Sequence, residues 1–190
     1  MKPLLRGHFH QAMFFITLGA GVPLVITSKA FSIGIYILCA LTLFCISSLY
    51  HRINWGPKKR LVWKKLDHCC IYLMIAGTFT PIAIMGLPEE ASFQLLATIW
   101  TVVILGIVQS LFFVNIPKIF SSLIYLVAGY LILPYLPQLK ESLGTFNVTL
   151  LILGGVFYSL GALSYGLKRP ILNPSIFSYH EVFHIMVNLG

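Results

Sequence analysis

Apolar runs long enough to cross a bilayer recur from one end of this chain to the other, and they leave an all-α membrane bundle as the fold it can adopt. Six of them cover about His10 to Ile26, Phe31 to Tyr50, Asp67 to Leu87, Phe93 to Val114, Ile119 to Leu136 and Phe146 to Leu167. Each spans 17 to 22 residues. That is close to the ~20 residues that cover ~30 Å of hydrocarbon at ~1.5 Å each. A seventh opens near Ile176 and is cut short at Gly190. The sequence thus predicts one seven-helix transmembrane domain over residues 1–190, whose last helix is truncated at Gly190.

Charged residues make up 9% of the chain, against about 25% in soluble domains. The cysteines, Cys39, Cys45, Cys69 and Cys70, all fall within apolar runs. They read as small buried hydrophobes rather than a disulfide framework. Lys2 and Arg6 ahead of the first run give it the look of a signal peptide. A chain with six further spans needs no cleaved leader, so the run is read as a span.

The formal charge of +8 needs no nucleic acid to explain it, because its placement follows the membrane. Taking the amino terminus and every second loop as one side, that side holds Lys2, Arg6, Arg52, Lys58, Lys59, Arg60, Lys64, Lys65, Lys118, Lys168 and Arg169. The other side holds Lys29 and Lys140. Eleven against two places the amino terminus in the cytoplasm. The run from Lys58 to Lys65 sets topology and attracts anionic lipid headgroups, at roughly 1 kcal/mol per residue. Short tails and loops point to a bacterial cell (inner) membrane.

On that map all six histidines and Asp67 fall at the cytoplasmic end. His51 closes the second segment, Asp67 and His68 open the third, and His180 and His184 begin the seventh. His180 and His184 stand at i and i+4, so both imidazoles leave the same helix face. Ionisable groups within the membrane are costly and mark functional sites. His51, His180 and His184 form a natural trio for zinc, three imidazoles with a fourth position left open. Zinc would lower the pKa of its bound water toward ~7. Asp67 is placed to take that water's proton. Ser47, four residues before His51, shares its helix face and is expected to help position substrate, or else to bond back to its own helix. His68 is expected to face away from the metal, and His8 and His10 to be interfacial.

His180-Glu181-Val182-Phe183-His184 also spells the zinc-protease pattern H-E-x-x-H. That reading lacks a third ligand downstream, since Ile185 to Gly190 holds no carboxylate or histidine. Glu181 is also turned about 100° from His180 on an ideal helix.

Ser47-Ser48-Leu49-Tyr50-His51, Lys65-Leu66-Asp67-His68 running into Ile75-Ala76-Gly77-Thr78-Phe79-Thr80-Pro81, and His180 to His184 together resemble the haemolysin III family. That family belongs to the progestin and adipoQ receptor group, itself grouped with alkaline ceramidases. The resemblance covers nearly the whole chain, including Arg6-Gly7 and His10. It implies seven helices, a cytoplasmic amino terminus, and zinc on His51, His180 and His184 with Asp67 and Ser47 as polar partners. It also implies a lipid-amide hydrolase activity.

Two other functions use the same residues or the same name. A zinc-stabilised membrane-homeostasis sensor or receptor would need the same ligands without turnover. A pore-forming cytolysin would need a polar stripe or charged ring, and the segments carry neither in evident form. Gly77 to Pro81 and Pro134 to Pro137 read as helix bends or ends. Gly154, Gly155 and Gly161 read as close helix-packing positions.

Overall fold

The computed structural model describes residues 3–190 and contains no β-strand among them; Lys2, counted in the charge map, lies outside the described residues. Its helices are α1 (His8–Ser28), α2 (Phe31–Arg52), α3 (Pro57–Gly86), α4 (Glu89–Phe112), α5 (Lys118–Tyr130), α6 (Leu136–Leu167) and α7 (Tyr179–Leu189), with a 3-10 turn at Leu133–Tyr135. Five stretches are long and apolar enough to cross a membrane: α1, α2, α3, α4, and Lys118–Leu167, which takes in α5, the turn and α6. Large apolar side chains such as Phe15, Phe31, Leu105, Phe112 and Val127 cover the outside. A soluble protein rarely presents such a continuous surface.

Most consecutive helices pack against one another, α1 on α2, α2 on α3, α3 on α4, α5 on α6 and α6 on α7, and α7 returns to α1. The largest core cluster joins α3, α4, α5 and α6 through Phe79, Ala83, Leu95, Ile99, Ala128 and Leu139. A second joins α2 to α3 through Ala40, Leu43, Phe44, Cys70 and Met74. All four cysteines are free thiols.

Several helix ends differ from the sequence expectation. α3 begins at Pro57, ten residues before Asp67. Proline suits the first turn because its missing N–H would have no partner there. The basic run is therefore helical, and Asp67 lies nearly three turns inside the helix rather than opening it. α5 stops at Tyr130 instead of Leu136, and α6 starts at Leu136 instead of Phe146. Pro134 and Pro137 bracket that junction, where proline can donate no backbone hydrogen bond. Gly144 interrupts α6 with φ +82°, a conformation that side chains resist. Pro81, expected to bend or end its helix, sits inside α3.

Candidate metal centre

Four elements deliver side chains to one end of the bundle. The last two turns of α2 carry Ser47 and His51, both buried. α3 carries Asp67, and α7 carries His180 and His184. α1 begins at His8 because Gly7 takes φ +83°, and this turn lies tight against α2. A Cβ at Gly7 would stand 2.8 Å from His51 Cβ. Close approach here is what brings the first helix beside the cluster.

The start of α7 is fixed in detail. Ser178 caps it, and Glu181 reaches back so that its Oε2 accepts the Ser178 N–H at 2.8 Å, completing a capping box. The other carboxylate oxygen of Glu181 pairs with the Arg6 guanidinium, 175 residues away. Beside that pair the backbone N–H groups of Leu4 and Leu5 donate to the carbonyls of Ser175 and Ile176, at 2.8 and 3.1 Å. Ser164 of α6 donates to the Tyr179 carbonyl at 3.1 Å. Behind α7, Gly161 lets Met186 and Phe183 sit against α6, as the sequence suggested. Gly154 likewise meets Gly190, whereas Gly155 has no neighbour where a Cβ would stand.

The structure thereby brings His51, His180 and His184 together, all buried, with one ligand atom from each inside a 4.8 Å group. His51 Nε2 and His180 Nε2 stand 3.1 Å apart. Two nitrogens bound to one zinc at ~2.0–2.1 Å in tetrahedral geometry would stand about 3.4 Å apart. Small adjustments suffice to gather the trio on one ion. The Nδ1 atom of His184 finds no hydrogen-bond partner among the described residues. Buried polar atoms left in that state are uncommon. A divalent cation is the group these residues fit.

Asp67 Oδ2 lies 3.7 Å from His51 Nε2, and the Ser47 hydroxyl interacts with the same carboxylate. His68 lines the cavity wall but stands outside the ligand trio. Two residues depart from expectation. Glu181, the protease-type base candidate, is wholly buried and engaged by the cap and Arg6. His10, expected to be interfacial, is 2% exposed and stacks on His184, with ring centroids 3.8 Å apart and planes 7° from parallel. Imidazole lone pairs lie in the ring plane, so two parallel rings cannot both aim at one ion. His10 therefore supports a ligand rather than being one. Its helix begins three residues after Pro3-Leu4-Leu5, ahead of the apolar run, and that hid its depth.

From the cluster a cavity of about 180 Å³ runs between α3, α5, α6 and α7. His10, Ser47, Asp67, His180 and His184 form its head, and its length is apolar, with Met74, Phe79, Leu126, Leu151 and Val187 among its walls. Polar chemistry at the head and hydrocarbon along the shaft suit an amphiphile.

The whole chain, residues 1–190, matches the family model described as haemolysin-III related. The chain is 34% identical to Hemolysin-3 of Bacillus cereus over 160 residues, 84% of this chain and 70% of that protein. It is 34% identical to a Hemolysin-3 homolog of Bacillus subtilis (strain 168) over 156 residues, 82% of this chain and 70% of that one. No solved structure matches it.

Proposed function

This chain belongs to the haemolysin-III-related family and is an integral, multi-pass membrane protein; on that premise we propose that it is a zinc-dependent hydrolase of a lipid amide. In this reading it crosses the membrane seven times, with the metal centre at the cytoplasmic end. The observation that carries it is the meeting of three buried imidazoles within 4.8 Å, a carboxylate 3.7 Å from one of them, and the head of an apolar cavity. Structural zinc sites close with four protein ligands, while catalytic ones leave a position for substrate. A trio with His180 and His184 on the wall of the apolar cavity and His51 on that of an adjoining chamber matches the second kind.

His51, His180 and His184 would hold the zinc, which supplies electrophilic polarisation of a carbonyl and of water. Asp67 takes the proton of the attacking water on a carboxylate oxygen and returns it to the leaving amine. Ser47, against the same carboxylate, fixes its direction and offers its hydroxyl to the carbonyl oxygen. The apolar shaft holds the acyl chain and excludes bulk water.

Zinc content per chain and fatty-acid release from a short-chain ceramide are the measurements to make on the purified protein. Asp67→Asn is expected to keep its zinc and lose on the order of 100-fold or more in rate. Release that survives chelation, or that Asp67→Asn leaves unchanged, would falsify the hydrolase reading. A second reading, a metal that only ties α7 to α2, draws support from α7 packing on α6 and α1 while His51 sits on α2. Under it, chelation lowers the unfolding temperature and no lipid is ever consumed.

A further inference from the structure

A second chamber of about 190 Å³ adjoins the histidine cluster. It shares Asp67, His68, Tyr165 and His180 with the apolar cavity, so these side chains stand between the two. Four cations face this chamber: Arg6 ahead of α1, Arg60 and Lys64 on α3, and Lys118 at the start of α5. Arg60, Lys64 and His68 are successive i+4 positions, so one face of α3 leads from the cations to the centre. Lys64 stands one turn from Asp67, about 4.5 Å of helix rise.

The partners of these cations set three of them apart. Arg6 is paired with Glu181. Arg60 meets the Tyr50 hydroxyl. Lys64 Nζ donates to Asn115 Oδ1 at 2.9 Å. Lys118 Nζ donates to the Tyr179 hydroxyl at 3.2 Å and lies 4.1 Å from the Tyr165 ring centre. Among the described residues no carboxylate lies within 4.0 Å of Arg60, Lys64 or Lys118. Three positive side chains with neutral partners repel one another around a shared space. An anion with several acceptor oxygens offsets that repulsion, and phosphate is the group that Arg and Lys clusters hold best. Because the chamber and the apolar shaft have Asp67, His68, Tyr165 and His180 as common wall, the phosphate belongs on a lipid.

We propose that the substrate carries a phosphate headgroup, held by Arg60, Lys64 and Lys118, with its amide at the histidine cluster and its acyl chain in the apolar cavity. This rests on the hydrolase reading for the amide, whereas the binding it describes needs no turnover. Only part of the basic run serves the chamber, since Lys58, Lys59 and Lys65 are absent from its wall.

The test is calorimetric binding to the purified full chain of hexanoyl-ceramide 1-phosphate, hexanoyl-ceramide and inorganic phosphate. The phosphorylated lipid is expected to bind about tenfold tighter than the neutral one, or better. Arg60→Gln with Lys64→Gln removes most of that difference at unchanged metal content. Lys58→Gln with Lys59→Gln loses the same charge from an exposed stretch and keeps the preference within about twofold. Single substitutions at Arg60 and Lys64, each losing about threefold to fivefold, carry the same comparison. Equal affinity for the two lipids overturns the proposal. So does equal weakening by the two double variants, which marks general charge attraction. Inorganic phosphate binding as tightly as the phosphorylated lipid overturns its lipid part. A tenfold preference without cleavage sinks the hydrolase reading alone, and cleavage without preference sinks this one alone.

Discussion

The ring of His10 lies flat against His184 and holds one ligand's plane without joining the ligand set. Outer groups that hydrogen-bond a metal ligand cost about 10- to 100-fold in affinity when removed, and a stacked ring that only fixes the ligand's plane belongs at the low end. His10→Ala is therefore expected to weaken zinc binding about tenfold in a chelator competition, while His10→Phe, which keeps a flat ring there, holds most of the affinity. Equal loss in both would show that the nitrogens matter rather than the stack. Glu181 gives the opposite contrast. Glu181→Gln leaves Arg6 without its counter-charge at a site where Glu181 is 0% exposed. It should cost about 3 kcal/mol in unfolding and leave zinc per chain unchanged. A protease-type base would instead lose activity at unchanged stability. The His180–His184 spacing and the sorting of Lys and Arg made Ser47, His51, Asp67, His180 and His184 legible as one cluster before any fold was known. The Arg6–Glu181 pair was not legible, because nothing in a sequence links residues 175 apart. The Ser178-x-x-Glu181 spacing was in view, and it would have turned Glu181 from a base into a cap.

Hydropathy located the helices by their lipid-facing stretches and misjudged their ends, at α3 for a physical reason. A helix can run past the hydrocarbon wherever charged side chains reach water, as α3 does from Pro57 through the basic run. At 30 residues it is about 45 Å long, well beyond the apolar slab. The break at Gly144 was equally hidden, since a backbone angle leaves no trace in composition. Gly144 and Gly155 offer a matched test, because at neither would an added Cβ meet an atom within 4 Å. Gly144→Ala should lower stability by about 1 kcal/mol, through φ alone. Gly155→Ala, inside regular helix, should raise it by about 0.5–1 kcal/mol. Gly161→Leu must push Met186 and Phe183 off α6. An overpacking cost of about 1–3 kcal/mol with weakened zinc binding is expected, since α7 carries two of the three ligands.

For the molecule as a whole, the sorting of Lys and Arg predicts a cytoplasmic amino terminus. A cysteine placed at Lys59 should resist an impermeant thiol reagent in intact cells and react once the membrane is opened. A cysteine at Lys140 should react from outside at once. The reverse pattern would put the candidate metal centre on the outer face. The native thiols contribute little background, because three are buried and Cys45 lies within α2.

The strands of backbone that precede α1 and α7 clasp each other through Leu4, Leu5, Ser175 and Ile176. The candidate metal trio is complete only once α7, which carries His180 and His184, has been synthesised. A chain that stops before Tyr179 holds His51 but lacks two of the three candidate ligands. Under the hydrolase reading, lipid cleavage then waits for the last helix and spares the membrane that receives the growing chain.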